Sequence, residues 1–444
     1  MTDGIALPVH HGRAWWPWTG LLLVAVLAFA GIYSWLSCCD DTPPAIVLGE
    51  IPGQGFVLTF TGLPKGADWQ LRVDGNKQAL TLQPETHAPQ VSGAARFNLP
   101  HSLAGQTVRV SIGSRFGAAL AESELELPKL AALQGGQTLY LGSCLYNPAR
   151  FVGEPILDAL LQDARGQPAP AMLWLGDNVY YGSSDWKSEE AMALAYQAVR
   201  GNGSLHRLLR AMPQYAIWDD HDYGPDNADG SFAQREVSQR VFRAHWANPR
   251  ASATDGGHYA SVRRGNVEIF LTDNRSYRKP LGANRKASAM LGGPQIQWLK
   301  SALLQSTAPV KLIVGGSQWL ADHPTEEGWQ HYPSERSAFL DWLANASIPG
   351  VLFISGDRHH STLFERTHLG RTLTELTCSA LTSVPEPVGR RGYENVRLLG
   401  ETEKNNYCRL SVSPNAEVTI AVIDAEGRPL LNQAIAAHAA RRAR

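Results

Sequence analysis

Six apolar segments constrain the fold of this 444-residue chain more than any other feature, because each of them runs directly into polar residues. The segments are residues 138–141, 171–175, 215–218, 267–271, 310–314 and 351–355. Short apolar runs of this length predict buried strands. Helical stretches such as 295–304 and 334–344 lie between several of them, and strands that alternate with helices indicate an α/β layered architecture.

The residues that follow these strands are mostly of types that bind metals or phosphate. The segments read Gly142-Ser143-Cys144, Gly176-Asp177-Asn178-Val179-Tyr180, Trp218-Asp219-Asp220-His221-Asp222, Thr272-Asp273-Asn274-Arg275, Gly315-Gly316-Ser317-Gln318 and Ser355-Gly356-Asp357-Arg358-His359-His360. Ligands of open α/β sheets bind outside the carboxyl ends of the strands, so we expect these segments to converge on one site. One Gly-Asp pair alone is often only a turn or a helix cap, and the joint occurrence of the segments favours the site.

Five aspartates lie within residues 219–229, and bound cations would balance their charge. Like charges that are brought together repel and raise one another's pKa. Carboxylates are the ligands that calcium, magnesium and manganese prefer, whereas imidazole and thiolate favour iron or zinc. The mixture of carboxylates with Cys144, Tyr180, Asn227 and His359 therefore predicts more than one metal, with at least one transition ion among them.

The chain as a whole carries almost no net charge, with 40 basic and 41 acidic residues. Non-specific nucleic-acid binding draws on a broad basic field, which this balance excludes. The five cysteines are too few for a disulfide scaffold and lack the paired spacing of a zinc module. Cys378 and Cys408 are a candidate pair if the domain lies outside the cytoplasm.

The ordered set of motifs resembles the alkaline phosphatase D (PhoD-like) family of metallophosphatases over residues 136–365. The segments that carry the resemblance are 142–144, 176–180, 218–224 and 355–360. The set is also similar to a variant of the wider calcineurin-like metallophosphoesterase pattern. The resemblance implies an α/β (α+β) metallophosphatase-like layered sandwich that hydrolyses phosphoric esters as a phosphomonoesterase, a phosphodiesterase or both.

Carried over position by position, the resemblance also implies a set of metal ligands. The implied ligands are Cys144, Asp177, Tyr180, Asp220, Asn227, Asp357 and His359. Cys144 and Tyr180 match the residues that hold ferric iron in the family, with calcium as the companion ion. The ligand positions that stay open are Asp219 or Asp220, and Asp226 or Asn227.

The implied mechanism is in-line attack on phosphorus by a metal-activated hydroxide, since metals lower the pKa of bound water toward neutrality. Asp177 would bridge two metals, and His221, in the place of the catalytic histidine, would donate to the leaving group or to a non-bridging oxygen. Arg275 is a second catalytic candidate because a guanidinium matches phosphate oxygens bidentately, although a surface ion pair is the alternative. Gln318 and His360 are weaker candidates beside the metals.

The N-terminus predicts a membrane anchor. Residues 14–39 are 26 consecutive residues without Asp, Glu, Lys or Arg, with tryptophans at both ends. At ~1.5 Å per residue, such a helix can cross a hydrocarbon layer of ~30 Å. Arg13 precedes the run and acids follow it, which places the catalytic domain on the periplasmic or extracellular side of a single-pass protein. Cleavage of the segment, or lipidation at Cys38 or Cys39, stays open.

The sequence also predicts how the chain is divided. Short alternating segments such as 56–60, 69–73 and 107–111, separated by Gly, Pro and Asn turns, are typical of a small β-sandwich. The predicted parts are a cytoplasmic stub and anchor at 1–40, a small all-β sandwich domain at 41–130, a metallophosphatase catalytic domain at 131–435 and a disordered tail at 436–444.

Two alternatives to a membrane-anchored, metal-dependent phosphoric ester hydrolase remain. One is a surface phospholipase D-type phosphodiesterase, because nothing in the sequence separates such substrates from monoesters. The other is a tethered binding protein with a structural metal centre. Structural sites are closed and need fewer ligands, so the surplus of acids and a non-ligating His221 favour catalysis. The expected partners are a phosphate-ester substrate and, through the N-terminal helix, a membrane.

Overall fold

The computed structural model describes most of the chain that follows the predicted anchor. The described residues are 43–65, 68–75, 79–85, 91, 93–115, 117–129, 136–146, 154–201, 203–249, 257–281 and 288–435. The predicted stub and anchor at 1–40 and the predicted tail at 436–444 lie outside them. Residues Pro44–Arg444 form one compact unit.

The first part of this unit consists of antiparallel strands. They are β1 (Ala45–Ile51), β2 (Gly55–Thr61), β3 (Trp69–Asp74), β4 (Ala79–Leu82), β5 (Ala94–Pro100), β6 (Thr107–Ser114) and β7 (Ala119–Glu126). One sheet has the order β1-β2-β5 and the other the order β4-β3-β6-β7. Leu48 and Leu58 of the first sheet and Val73 and Val110 of the second belong to one buried cluster, so the sheets pack against each other. The predicted domain boundaries stay a prediction.

The remaining described strands build two larger mixed sheets. They are β8 (Gln137–Gly142), β9 (Pro170–Leu175), β10 (Gln214–Ile217), β11 (Ala260–Arg264), β12 (Val267–Leu271), β13 (Val310–Val314), β14 (Val351–Ser355), β15 (Ser361–His368), β16 (Arg371–Thr377), β17 (Arg397–Thr402), β18 (Asn406–Val412), β19 (Val418–Asp424) and β20 (Pro429–Ile435). The six-stranded sheet has the order β10-β9-β8-β18-β19-β20, and the seven-stranded sheet the order β11-β12-β13-β14-β16-β15-β17. Strands β8 to β10 are mutually parallel, as are β12, β13 and β14.

The two larger sheets share one apolar core. Leu173 of β9, Ile269 of β12 and Ile354 of β14 belong to the same buried cluster. Alternate residues of β9, such as Trp174, belong to a second cluster that includes helical side chains. Since successive side chains point to opposite faces, both faces of the strand are buried, which accounts for its unbroken apolar sequence.

Helices cover the outer faces of these sheets. They are α1 (Pro155–Ala164), α2 (Glu189–Arg200), α3 (Gly203–Ala211), α4 (Asp220–Tyr223), α5 (Arg235–His245), α6 (Gly292–Gln305) and α7 (Pro333–Asn345). Leu157 of α1 packs in the cluster of the six-stranded sheet, and Leu299 of α6 in that of the seven-stranded sheet. At the start of α2, the Ser188 hydroxyl accepts a hydrogen bond from the Ala191 backbone N–H and so caps the helix.

The predicted localisation as a single-pass membrane protein is corrected by the structure. Among the described residues, no helix is both long and apolar enough to cross a membrane. The 14 residues of α6 extend about 21 Å at ~1.5 Å per residue, which is short of a ~30 Å hydrocarbon layer. The segment that predicted the anchor lies outside the described residues.

Candidate metal centre

The polar segments predicted to converge do meet at one edge of the two larger sheets. The Cys144 backbone N–H donates to the Gly176 carbonyl (3.3 Å), and the Gly356 backbone N–H donates to the Gly316 carbonyl (2.7 Å). A Cβ added at Gly316 would lie 2.3 Å from Cγ of Asp219, so only glycine lets this loop approach the acidic segment. The strand ends of both sheets therefore border the same site.

Asp177 lies at the centre of this site, between a thiol and a phenol. Its Oδ2 is 3.6 Å from Cys144 Sγ and 3.4 Å from the Tyr180 hydroxyl. Ser379 Oγ lies 3.1 Å from Cys144 Sγ, and Ser383 Oγ lies 3.0 Å from the Tyr180 hydroxyl. The iron ligands implied by the resemblance are thus neighbours, and two serines from the loop after β16 position them.

The other oxygen of Asp177 faces the start of α4. Oδ1 accepts a hydrogen bond from the His221 backbone N–H (3.3 Å), and this N–H also lies 3.0 Å from Oδ1 of Asp220. One side-chain atom from each of Asp177, Asp220 and His221 lies within 4.8 Å of the other two, an arrangement that could hold a metal ion. We call Asp177, Asp220 and His221, together with Cys144 and Tyr180, the Asp177 cluster.

A second acidic group lies beside the first. Oxygens of Asp219, Glu327 and Asp357 also lie within 4.8 Å of one another. Nε of Arg275 donates to Asp219 Oδ1 (2.7 Å), and its Nη2 donates to Glu327 Oε2 (2.5 Å). Arg278 Nη2 adds an ion pair with Glu327 Oε1 at 2.6 Å. We call these three acids and two arginines the Arg275 cluster.

The predicted role of Arg275 as a phosphate clamp is corrected by these contacts. The side chain is fully buried, and Nη1 also donates to the Ala228 carbonyl (3.1 Å) and to Glu327 Oε1 (3.2 Å). Each guanidinium nitrogen already donates to a protein acceptor, so none is free for a phosphate oxygen. The alternative of a surface ion pair fails as well, because the pair with Asp219 is buried.

The two clusters contain ionisable groups with shifted pKa values. Burial raises the pKa of Asp177 well above its usual range, and the nearby Asp220 and Asp219 carboxylates raise it further. Burial and the Asp177 carboxylate likewise raise the pKa of the Cys144 thiol. Burial alone would raise the pKa of Asp220, but the Arg275 guanidinium and further contacts bring it below its ordinary value.

These shifts fit a site built for cations. A buried acid, a buried thiol and a phenol that share one centre remain protonated unless a positive charge favours their ionised forms. Thiolate and phenolate donors suit a transition ion such as ferric iron, and carboxylates suit calcium. The donors present in the Asp177 cluster therefore fit the metals that the resemblance implied.

The backbone at the predicted ligands is unusual. Cys144, Asp177, Asn227, Asp357 and His359 all have positive φ, between 52° and 69°. Left-handed backbone is uncommon outside glycine and costs of order 1–3 kcal/mol where the residue is held there. Such conformations cluster at functional sites, and the five residues lie in loops that follow strands or the short helix α4.

Two predicted ligands stand apart from the acidic clusters. The Asn227 backbone N–H donates to Asp220 Oδ2 (2.7 Å), but its exposed side-chain amide donates to Asp226 Oδ2 (2.8 Å). His359 Nδ1 lies 3.8 Å from Glu386 Oε1 at the partly exposed edge of the site. Their roles as ligands stay predictions.

The two weaker candidates, Gln318 and His360, are buried in one polar network that includes Tyr393. The Gln318 amide donates to the Tyr393 hydroxyl (2.8 Å), and His360 Nε2 lies 3.2 Å from the same hydroxyl. Burial and the nearby Arg358 lower the pKa of His360 to about 3. Both side chains therefore link the loops after β13 and β14 to Tyr393.

Sequence reasoning missed Glu327, Ser379 and Ser383. Glu327 lies in the long connection after β13, where no motif surrounds it, and only its ion pairs with Arg275 and Arg278 place it at the site. The two serines follow Cys378, which forms a disulfide with Cys408. The candidate pairing of these two cysteines was the one sequence signal that pointed to this loop.

Sequence comparisons relate the chain to known phosphatases. A family model described as PhoD-like phosphatase matches residues 162–432. Alkaline phosphatase D of Bacillus subtilis (strain 168) is 22% identical over 302 residues, covering 54% of this chain and 52% of that protein. The chain thus spans about half the length of this curated relative.

Two solved structures share the fold. One described as the structure of PhoD has a TM-score of 0.65 at 16% identity, covering 89% of this chain and 92% of that chain. Purple acid phosphatase PPD1 from yellow lupin (Lupinus luteus) seeds has a TM-score of 0.64 at 10% identity, covering 89% and 74%. These likenesses confirm the predicted metallophosphatase-like layers. Because the family model spans more than half of its residues, the chain belongs to the PhoD-like phosphatase family.

Proposed function

We propose that this chain is a metal-dependent phosphoric ester hydrolase that acts on monoesters, diesters or both, with its reaction centre at the Asp177 cluster. The observation that carries the proposal is the Asp177 carboxylate, which lies between Cys144 Sγ and the Tyr180 hydroxyl on one side and the His221 backbone on the other. Membership of the PhoD-like phosphatase family supports the same reaction class.

We propose ferric iron and calcium as the metals. Cys144, Asp177 and Tyr180 would hold the iron, and Asp177 with Asp220 would contribute carboxylate oxygens to calcium; Asn227, Asp357 and His359 stay candidate ligands. The chemistry that such ions supply when bound is polarisation of the phosphoryl oxygens and activation of water. The hydrogen bond that Asp177 Oδ1 accepts from the His221 backbone N–H orients this carboxylate before substrate arrives.

His221 is the proposed proton donor. Its backbone N–H is fixed by Asp177 and Asp220, and its ring stacks on Tyr180 with centroids 4.2 Å apart. Its side chain is 28% exposed, and its Nε2 lies 3.8 Å from Asp226 Oδ1. A ring that is held in place yet accessible can deliver a proton to the oxygen of a leaving alcohol. This accessibility favours catalysis over a closed structural metal site.

Arg275 acts as a positioning residue in this proposal. Its guanidinium joins Asp219, just before α4, to Glu327 of the loop after β13. The α4 helix carries Asp220 and His221, so the buried ion pair fixes the helix that presents them. Asp222 supports the same turn, because its Oδ1 accepts the Asp219 backbone N–H (2.7 Å).

The test is hydrolysis of p-nitrophenyl phosphate and bis-p-nitrophenyl phosphate by the purified protein, with and without chelator. We expect chelator to abolish activity and added metal to restore it. Chelator-insensitive hydrolysis would contradict the metal mechanism, and the ratio of the two substrates separates monoesterase from diesterase action.

Visible absorption tests whether one of the metals is ferric iron. A ferric centre with thiolate or phenolate donors absorbs visible light through charge transfer, and we expect Cys144→Ala to remove or shift that band. A colourless, fully active wild-type protein would exclude ferric iron while leaving the hydrolase proposal intact.

A further inference from the structure

Two exposed apolar side chains border the Asp177 cluster. Tyr146 is 45% exposed and lies two residues after Cys144, and Val384 is 76% exposed and directly follows Ser383. Single exposed apolar residues are common on protein surfaces. These two residues are of interest because they lie beside the proposed reaction centre, and not because of their exposure alone.

Hydrogen bonds hold the two segments side by side. The Ser383 backbone N–H donates to the Cys144 carbonyl (3.1 Å), and the Thr382 hydroxyl donates to the Tyr146 carbonyl (2.7 Å). Ser383 Oγ also lies 3.0 Å from the Tyr180 hydroxyl. Tyr146 and Val384 therefore lie on adjacent, hydrogen-bonded loops, and Val384 directly follows the serine that contacts Tyr180.

Three rings form a row that leads from the surface to the proposed proton donor. Tyr146 meets Tyr180 edge to face, with centroids 5.2 Å apart and planes at 72°. Tyr180 in turn stacks on His221 at 4.2 Å and 28°. We call Tyr146, Tyr180 and Val384 the apolar rim.

The loop that borders Asp357 carries a charged residue instead of exposed apolar ones. Arg358 Nη1 forms an ion pair with Glu326 Oε2 at 3.1 Å. Exposed apolar groups thus lie on the loops of Tyr146 and Val384, although the second loop also carries Glu386 two residues further on, whereas an ion pair joins the loops of Glu326 and Arg358. A substrate with one charged and one apolar part would meet a matching surface.

We propose that the apolar rim is a subsite for the alcohol part of the phosphate ester, and that it selects substrates whose leaving group is aromatic. The proposal rests on the proposed function, since it assumes that the phosphate lies at the Asp177 cluster. An aromatic leaving group that reaches His221 would lie along the row of rings, where edge-to-face or offset contacts with Tyr146 are available. Contacts that persist in the transition state raise kcat/KM for such substrates.

The kinetic test compares phenyl phosphate with glycerol phosphate by phosphate release from the metal-loaded enzyme. We expect Tyr146→Ala to lower kcat/KM for phenyl phosphate by about 10-fold, while the value for glycerol phosphate stays within about 2-fold. Val384→Ser should shift the same ratio in the same direction by a smaller factor. Comparing ratios between variants cancels the intrinsic difference in reactivity of the two esters.

Two matched variants serve as controls. Tyr146→Phe keeps the ring and should keep the wild-type ratio. Leu369→Ala truncates an apolar side chain that is 67% exposed in the turn between β15 and β16, at the far end of β15 from His360, and should also keep it. An unchanged ratio in both Tyr146→Ala and Val384→Ser would overturn the proposal.

A binding measurement separates this proposal from the hydrolase proposal. Calorimetry of the metal-loaded protein with phenylphosphonate and methylphosphonate needs no turnover. We expect the wild type to bind phenylphosphonate about 10-fold more tightly, and Tyr146→Ala to lose that preference. Equal affinity for the two phosphonates would overturn the subsite, whereas a protein that shows the preference but hydrolyses no ester would contradict the proposed function alone.

Discussion

The Asp177 cluster and the Arg275 cluster lie side by side but differ in what balances their negative charge. In the Arg275 cluster, two arginines contact the carboxylates of Asp219 and Glu327 directly. In the Asp177 cluster the acids have a thiol, a phenol and an imidazole as neighbours, and Arg275 Nη2 approaches Asp220 only to 3.8 Å. In one cluster the protein's own arginines balance Asp219 and Glu327. The acids of the Asp177 cluster, and Asp357 as a candidate ligand, would be balanced by bound metals.

One acidic cluster can therefore stabilise the fold while the neighbouring cluster binds metals for the reaction. Breaking a buried ion pair by removing one partner is costly, so the Arg275 cluster fixes the loops. Carboxylates without a protein cation are available to a metal ion. The following changes should therefore affect the two clusters differently.

The largest expected effect is that of Asp177→Asn. The substitution keeps the size of the side chain and removes the charge at the centre of the Asp177 cluster, so we expect kcat/KM to fall by on the order of 10³-fold or more. Metal content, measured by mass spectrometry on the purified protein, should fall with it. Asp341→Asn, an exposed acid on α7, is the matched control. Wild-type metal content in Asp177→Asn would remove this residue from the metal centre.

The second largest effect is expected for the disulfide between Cys378 and Cys408, which lies beside the Asp177 cluster. The Cys378 carbonyl accepts a hydrogen bond from Ser143 Oγ (3.0 Å), and the adjacent Ser379 contacts Cys144 Sγ. Closing a loop of 30 residues stabilises by about 3.6 kcal/mol in the chain-entropy account. We expect the free energy of unfolding of C378A/C408A, measured in urea, to fall by that amount.

Reduction provides the control for the disulfide. The wild type in excess dithiothreitol should unfold at the same urea concentration as the double variant without it. A double variant as stable as the oxidised wild type would show that the bridge does not support the fold.

Glu327→Gln should separate structure from metal binding. The change leaves Arg275 and Arg278 without their shared carboxylate, and we expect the free energy of unfolding to fall by about 2–3 kcal/mol while metal content is kept. Asp158→Asn breaks a half-exposed pair with Arg207 and should cost under about 1 kcal/mol. Metal loss in Glu327→Gln without a loss of stability would reverse the roles that we give the clusters.

The smallest effect concerns pH and lies outside both clusters. Burial and the nearby Arg200 lower the pKa of His245 to about 3, and burial with Arg243 does the same for His258. Folding favours the neutral imidazoles, so their contribution to stability is present above pH ~6.5 and is lost as pH falls toward 3. At pH 6 each should reduce the free energy of unfolding by about 0.8 kcal/mol.

Urea unfolding at pH 7.5 and pH 6 checks this value. His245→Gln should show a pH difference smaller than the wild type by about 0.8 kcal/mol, and the exposed His101→Gln should show the wild-type difference. If His245→Gln keeps the full wild-type difference in unfolding free energy between the two pH values, other groups cause the acid sensitivity. The residues of the two clusters would then be among the candidates.

The sequence predicted the Asp177 cluster better than the Arg275 cluster, for a physical reason. Cys144 and Asp177 directly follow parallel strands, and the topology of such sheets brings strand ends together whatever the loops do. Glu327 lies in a connection without regular structure, and tertiary ion pairs alone determine its position. The predicted role of Arg275 was wrong because the sequence does not show which protein acceptors the guanidinium hydrogen-bonds to in the folded structure.

The layered fold was also predictable, because the alternation of apolar strands with helices is visible in the sequence. The burial of the first sheet was not predictable. Every residue of β2 is buried, although the strand lies in a part of the chain that reads as alternating. The cause is long-range packing: Val57 belongs to the same apolar cluster as Leu205 of α3 and Trp174 of β9. Such contacts between distant segments leave no local periodicity to read.

Anomalous scattering from a crystal of the purified protein at the iron absorption edge tests the central claim most directly. We expect a peak within coordination distance of the Asp177 carboxylate and Cys144 Sγ, and no peak at Glu327. A peak at Glu327, or a fully active crystal preparation without any metal at Asp177, would contradict this claim.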